Sequence, residues 1–184
     1  MKRLCSMVER TVRISFCHYS HSKSKKYLTT TKRWKKGRIK GTVELFQPTM
    51  LKVPTTFMKI NIKGLIPNSV HGFHIHEYGD IVTKGCQSTG GHFNPHQQMH
   101  GAPMDYRRHV GDLGNVYADN KGEVKVIKRD VFVSLVGELS VLGRAFVLHE
   151  QIDDLGRGGN IGSLKTGNAG KRIACGVIVR TPDL

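Results

Sequence analysis

The sequence has no long apolar segment and no closely paired cysteines. No apolar run reaches the roughly 18 residues of a membrane-spanning helix, and no hydrophobic stretch of about 7–15 residues near the N-terminus indicates a secretory signal. The four cysteines form neither a Cys-x-Cys nor a Cys-x-x-Cys motif, which argues against a thiol metal carrier or a dithiol redox site. A persistent 3.6-residue apolar period is also missing, so a helical fold is not expected.

Acidic residues are nearly absent from the first part of the chain. Residues 1–40 hold thirteen Lys and Arg and one acid, Glu9, which gives +12 of the total net charge of +15. We interpret residues 1–37 as a basic, disordered extension and residues 38–184 as one folded domain. Two alternatives for the extension are a transit peptide and a polyanion-binding arm. A cytoplasmic location is expected, or a mitochondrial one if the extension is a transit peptide.

The rest of the chain is composed of short strand-like segments. Its many glycines suit a loop-rich β protein, and turns rich in Gly, Asn and Asp separate the apolar runs. Strands are predicted at residues 39–46, 57–62, 70–78, 114–118, 123–127, 145–149 and 174–179. The pattern predicts an antiparallel sandwich or barrel. Residues 79–112 and 150–173 are too long for simple turns and are expected to be functional loops.

Histidines are placed so that several can meet on one face of the predicted sheet. Side chains of a strand alternate with period two, so His74 and His76 share a face while Ile75 points to the core. By the same alternation, His149 faces outward at the end of a later strand. If the two strands are neighbours, three imidazoles meet, and His92 in the long loop is the natural fourth. Four imidazoles without a thiolate favour copper.

A second set of candidate ligands follows in the same loop. His92, His100, His109 and Asp112 offer three nitrogens and one carboxylate oxygen, which make a closed tetrahedral zinc site. His92 is then required by both sets. Its two ring nitrogens can each bind one metal if the ring loses both protons, and two nearby cations would stabilise that imidazolate. A lone histidine is more often a surface or hydrogen-bonded residue, but this cluster favours metal binding. We expect His71 beside the ligands or at a strand end.

These segments resemble the copper–zinc superoxide dismutase family. The matching stretches are HGFHIHEYGD (71–80), GCQSTGGHFNP (85–95), HVGDLGNVYAD (109–119), LGRAFVLHEQIDDLGRGGN (142–160) and KTGNAGKRIACGVI (165–178). The resemblance covers about 39–184 and implies an all-β fold, an eight-stranded antiparallel Greek-key barrel of the immunoglobulin-like sandwich type with two long functional loops. It implies an enzyme that disproportionates superoxide to dioxygen and hydrogen peroxide in antioxidant defence.

The resemblance also implies a role for each candidate residue. Copper would be bound by His74, His76, His92 and His149, and zinc by His92, His100, His109 and Asp112. Asp153 would join His74 and His100. Arg172 would dock the anion beside copper, His92 would act with it as a catalytic residue, and Lys165 would help to steer superoxide. Cys86 and Cys175 would form a disulfide.

Some positions depart from the family pattern. Residues 81–85 hold one residue more than usual, Gly91 stands where proline is common, and Ile161 and Gly162 replace acidic residues. Loss of these charges is expected to alter the salt dependence of the rate, not to abolish activity.

The resemblance implies a homodimer, and a copper-loading chaperone is a candidate partner. No membrane or specific nucleic-acid partner is expected. A copper-delivery protein with a dismutase-like domain is the competing interpretation. It would be expected to lack the copper ligands and to carry a thiol motif, and this chain does neither.

Overall fold

Eight β-strands and the loops that join them, two of which are especially long, make up the part of the chain that the structure describes. The computed structural model describes residues 11–16, 39–48, 51 and 53–180. Its strands are β1 (Thr11–Phe16), β2 (Lys40–Phe46), β3 (Thr56–Lys63), β4 (Val70–His76), β5 (Asp112–Tyr117), β6 (Val124–Asp130), β7 (Ala145–His149) and β8 (Arg172–Val177). A 3₁₀ turn, Gln87–Thr89, lies in the first long loop, and helix α1, Ile161–Thr166, lies in the second. No helix among these residues is long and apolar enough to span a membrane.

The strands form two four-stranded antiparallel sheets. One sheet has the order β1-β2-β3-β6 and the other has the order β5-β4-β7-β8, so the chain passes between sheets after β3, β5 and β6. This arrangement confirms the predicted all-β, eight-stranded fold with Greek-key connections. All seven strands predicted from residue 39 onward are present, and their boundaries differ from the prediction by at most three residues.

Alternation along the strands builds one core between the sheets. Met58 and Ile60 of β3 are buried, whereas Lys59 between them is exposed. Phe73 of β4 and Phe146 of β7 stack in this core with ring centroids 5.0 Å apart. Each such side chain contributes about 1.5–3 kcal/mol through burial. The outer faces of β4 and β7 are therefore left for other side chains.

Strand β1 corrects the interpretation of residues 1–37 as a disordered extension. Thr11–Phe16 pairs antiparallel with β2 over its whole length, so these six residues belong to the sheet. The interpretation relied on basic composition and overlooked the alternation of polar and apolar residues in TVRISF, which is a strand pattern that the edge of β2 can pair with. The remainder of residues 1–37 lies outside the described part of the chain.

The pairing of β4 with β5 is interrupted beside the first long loop. The register shifts between Gly72 and His74, and Phe93 from the loop enters the gap. The Phe93 N–H donates to Ile75 O (2.8 Å), the Ile75 N–H donates to Gly111 O (2.9 Å), and the Gly111 N–H donates to Phe93 O (3.0 Å). A Cβ atom on Gly111 would lie 2.1 Å from Ile75 O. Glycine at this position therefore allows three backbone segments to meet.

We expect Gly111→Ala to lower the free energy of unfolding by about 1–3 kcal/mol, because the added methyl group would push β4 away from the loop. Urea unfolding of the metal-free, oxidised protein would measure the change. Gly91→Ala is the matched control, since a Cβ atom there meets no atom within 4 Å. The control should change the unfolding free energy by less than about 0.5 kcal/mol. Equal unfolding free energies for the two variants would contradict this account.

Candidate metal centre

Two groups of buried side chains lie beneath the long loops, on the outer faces of β4 and β7. The four-histidine group consists of His74, His76, His92 and His149, and the three-histidine–aspartate group consists of His92, His100, His109 and Asp112. Within each group the candidate ligand atoms lie within 4.8 Å of one another. Every member is buried. The structure thus brings together all seven residues that the sequence predicted as metal ligands.

Neighbouring strands supply most of the four-histidine group. His74 and His76 project from β4, and His149 ends the paired strand β7. The Nε2 atoms of His76 and His149 are 3.3 Å apart. On the other side of each ring, Nδ1 donates to a backbone carbonyl, that of Gly90 for His76 (2.9 Å) and that of Gly170 for His149 (3.1 Å). These bonds fix the tautomer, so that Nε2 carries the lone pair that can bind a metal.

Two further nitrogens in this group are buried and have no hydrogen-bond partner. They are Nδ1 of His74 and Nε2 of His92. An unsatisfied buried polar atom costs about 1–3 kcal/mol, so native structures seldom keep one without a ligand nearby. The unpartnered nitrogens therefore fit a metal ion bound by the four rings.

The three-histidine–aspartate group surrounds a single carboxylate oxygen. Asp112 Oδ1 lies 2.8 Å from Nδ1 of His92, 2.9 Å from Nδ1 of His100 and 3.0 Å from Nδ1 of His109. The approach of His100 lacks hydrogen-bond geometry, and its Nδ1 has no partner. Tetrahedral zinc with bonds of about 2.0–2.1 Å places its ligand atoms roughly 3.3 Å apart. The four atoms are therefore close to a tetrahedral zinc site.

Backbone pairing positions His92 between the two groups. His92 forms a β-bridge with His76, and the Glu77 N–H donates to Gly91 O (2.9 Å). The ring then places Nδ1 2.8 Å from Asp112 Oδ1 and leaves Nε2 to the four-histidine group. A single imidazole thus faces both groups.

Asp153, in the second long loop, joins the two groups. Its carboxylate binds Nε2 of His74 at 2.9 Å and Nε2 of His100 at 2.7 Å. Asn115 holds the backbone of Asp153 through two hydrogen bonds of 2.8 Å. A Cβ atom on Gly167 would lie 1.8 Å from Asp153 Oδ1, and Gly167 has a φ of 66°. Both facts make glycine necessary at that position.

Burial keeps the four-histidine group neutral. Desolvation lowers the pKa of His74, His76 and His92, and it lowers the pKa of His149 to about 4. The positive charge that His92 would carry further lowers the pKa of the two β4 histidines. Neutral imidazole is the form that binds metal ions, so these rings are ready to act as ligands at neutral pH.

Carboxylates favour positive charge in the second group. Burial disfavours a charged His100, but Asp112 and Asp153 outweigh burial and raise the pKa of this ring to about 9. Burial alone would raise the pKa of both carboxyls. Close contacts with the ring nitrogens of His100 and its neighbouring histidines instead hold these pKa values well below the usual range. A divalent cation would satisfy the same electrostatic demand as the proton.

Arg172 lies beside the four-histidine group at the start of β8. Its guanidinium donates to the carbonyls of Cys86 (2.8 Å) and Gly90 (2.6 Å), and Gly90 O also accepts from His76. Cys86 and Cys175 form a disulfide with their Cα atoms 5.6 Å apart. The disulfide therefore ties β8 to the loop segment that positions both Arg172 and His76.

The other sequence-predicted residues have different surroundings. Lys165 is exposed on the last turn of α1 and belongs to neither group. His71 bonds to His149 O through Nδ1 (2.7 Å) and to Ser69 Oγ through Nε2 (2.7 Å), so it supports the backbone of a candidate ligand, as expected. The sequence analysis did not identify Asn115 or Gly167 as part of the site. Both lie against Asp153, which is distant from Asn115 in sequence, and nothing in the local sequence around either residue indicates that contact.

Comparisons with known proteins agree with this geometry. Residues 39–178 match the family described as copper/zinc superoxide dismutase. The chain is 54% identical over 140 residues to a Cu-Zn superoxide dismutase of Candida glabrata. The aligned region covers 76% of this chain and 89% of that protein. It is 53% identical over 142 residues to one of Cordyceps militaris, with 77% and 90% covered.

A viral relative extends the comparison. The Cu-Zn superoxide dismutase of Paramecium bursaria Chlorella virus 1 is 51% identical over 142 residues, with 77% of this chain and 73% of that protein covered. The family match over residues 39–178 includes both long loops and both groups of side chains. This chain belongs to the copper/zinc superoxide dismutase family.

Proposed function

We propose that this chain disproportionates superoxide to dioxygen and hydrogen peroxide, with copper in the four-histidine group and zinc in the three-histidine–aspartate group. The observation that carries the proposal is His92, whose two ring nitrogens face the two groups. Membership of the family supports both the reaction and the pair of metals as resident cofactors.

The donor atoms support this assignment of the metals. Four imidazole nitrogens suit copper, which has the higher affinity of the two metals for nitrogen donors. Three nitrogens and one carboxylate oxygen make a closed, four-coordinate site of the kind that structural zinc occupies. Asp153 bonds to one ring of each group and so orients both.

The chain's own residues bind the substrate and handle its protons. Copper, when bound, supplies the one-electron chemistry by passing between its two oxidation states. The guanidinium of Arg172 is half-buried and permanently charged, and it offers N–H donors to the anion. His92 Nε2 can hold a proton when it binds no metal, because Nδ1 remains engaged in the other group, and that proton can pass to the reduced substrate. A second proton comes from water.

Charges at the rim are proposed to steer superoxide. Lys165 lies exposed on α1, and Ile161 at the start of that helix is exposed where the family commonly has an acid. The Asn160 side chain accepts a hydrogen bond from the Ser163 N–H (2.9 Å) and so begins the helix. A rim without acidic side chains at 161 and 162 has a more positive potential, which attracts a small anion.

A homodimer is proposed as the assembly. Exposed apolar side chains occur at Tyr78, Val82, Leu142 and Val179. The segments that carry Tyr78 and Leu142 lie close together, because the Arg144 guanidinium donates to Glu77 O (2.8 Å). Covering these side chains would stabilise association. Sedimentation of the purified chain tests the proposal, and a monomer at micromolar concentration would contradict it. A copper-loading chaperone is proposed as a transient partner, since the copper ligands are buried.

A cytoplasmic location with the N-terminal segment retained is also proposed. Pairing of Thr11–Phe16 with β2 supports retention, since removing residues 1–37 would expose the edge of β2. Mass spectrometry of the mature N-terminus from fractionated cells tests this. A mature chain that begins near residue 38 in mitochondria would instead support a transit peptide.

We expect the purified chain to bind one copper and one zinc, and His149→Ala to lose copper and dismutase activity while keeping zinc. His149 belongs only to the four-histidine group, so its loss should leave the other group intact. Metal analysis and a superoxide-consumption assay measure these outcomes. His96→Ala, at an exposed loop histidine, is the control and should match the unchanged chain. Full activity in His149→Ala would refute the copper assignment.

We expect the rate to fall as ionic strength rises, because salt screens the attraction between the positive rim and superoxide. Ile161→Glu should reduce kcat/KM by about two- to tenfold at low salt, and the deficit should shrink at high salt. Ile161→Gln is the neutral control and should behave like the unchanged chain. Identical salt profiles for the Glu and Gln variants would show that this position does not influence capture of the anion.

A further inference from the structure

The turn at residues 109–113 carries two of the proposed zinc ligands, and every one of its backbone carbonyls has a partner. Gly111 O accepts from the Ile75 N–H (2.9 Å) in the neighbouring strand β4. The other four carbonyls accept hydrogen bonds from two cationic side chains, Arg108 and Lys128. The geometry of the ligands therefore depends on groups that bind no metal themselves.

Arg108 forms hydrogen bonds along most of the turn. Its Nη1 donates to the carbonyls of His109 (3.1 Å), Val110 (3.4 Å) and Asp112 (3.1 Å), and its Nη2 donates to Asp130 Oδ2 (2.6 Å). Both charged side chains are buried. Asp130 ends strand β6, so this ion pair links the turn to the opposite sheet.

Lys128 makes a second link from the same strand. Its ammonium donates to Leu113 O at 3.0 Å, one residue beyond Asp112. Lys128 pairs in register with Met58, whose side chain is fully buried, so Lys128 also points inward. Strands β5 and β6 belong to different sheets and share no backbone ladder. The Lys128 side chain thus supplies a hydrogen bond between β6 and β5, which are not joined by backbone pairing.

We propose that Lys128 is a positioning residue of the zinc site, which holds the backbone after Asp112 from the opposite sheet while Arg108 holds the backbone before it. Asp112 sits between the two cationic contacts, and its Oδ1 has to stay near three imidazole nitrogens at once. Burial lowers the pKa of Lys128, partly offset by Asp130, as expected for a cation drawn out of water.

The inference rests on the proposed function, because it takes the three-histidine–aspartate group as the zinc site. Residues that orient metal ligands typically change metal affinity by 10–100-fold when they are replaced. Lys128 reaches the ligands through one backbone carbonyl, so we place its effect at the lower end of that range.

We expect Lys128→Met to weaken zinc binding about tenfold with copper binding unchanged. Lys128→Arg, which keeps a cationic donor, should retain most of the zinc affinity. Chelator competition on the full-length, metal-depleted chain measures the zinc affinity, and cobalt(II) absorption in the same group reports the ligand geometry. Lys125→Met is the control on the same strand, since Lys125 is exposed and pairs with Glu123. Ile60→Val, a core change on β3, controls for loss of stability alone.

Wild-type zinc affinity in Lys128→Met would overturn the proposal, as would an equal loss in Ile60→Val. If Lys128→Met does not fold, Lys128→Gln, an uncharged donor, should show a smaller loss of zinc affinity, and no loss would overturn the proposal. An unchanged chain that binds no zinc would refute the proposed function itself. The two failures are therefore distinguishable.

Discussion

One imidazole ring held between two sets of buried ligands is the constraint on which the rest of the structure depends. His92 can face both sets only if its backbone is fixed to within a fraction of an ångström. The barrel achieves this by opening the β4–β5 pairing and inserting the His92–Phe93 segment as a short extra strand. Gly111 makes the insertion possible, because a side chain there would collide with β4. The irregularity in the sheet is thus the means by which the shared ring is placed.

The second long loop completes the centre through a single carboxylate. Asp153 contacts one ring from each group. Asn115 holds its backbone through two hydrogen bonds, and the absence of a side chain at Gly167 leaves room for its carboxylate. Burial of these groups strengthens their electrostatic coupling, since few water molecules screen it. Four rings are kept neutral while the carboxylates stay charged. This combination favours cations bound at the centre over protons on the four-histidine rings.

Much of the fold and the centre followed from local patterns in the sequence. Period-two alternation placed His74, His76 and His149 on one face, and the dense loop histidines completed both groups. Strand β1 was missed because basic composition outweighed a six-residue alternation separated from β2 by residues 17–39. The contacts of Gly167 and Lys128 could not be predicted, since each meets a residue brought near only by the tertiary fold.

The two sheets contribute unequally to the centre, and this has a consequence for how the chain can change. All the candidate ligands lie on the β5-β4-β7-β8 sheet or its loops, and the β1-β2-β3-β6 sheet provides none. Residues 17–39 connect two strands of the ligand-free sheet. The closure entropy of a connection grows slowly with its length, by about 0.6 kcal/mol for each doubling. Insertions on that side can therefore accumulate through neutral drift while the chemistry on the other side is preserved.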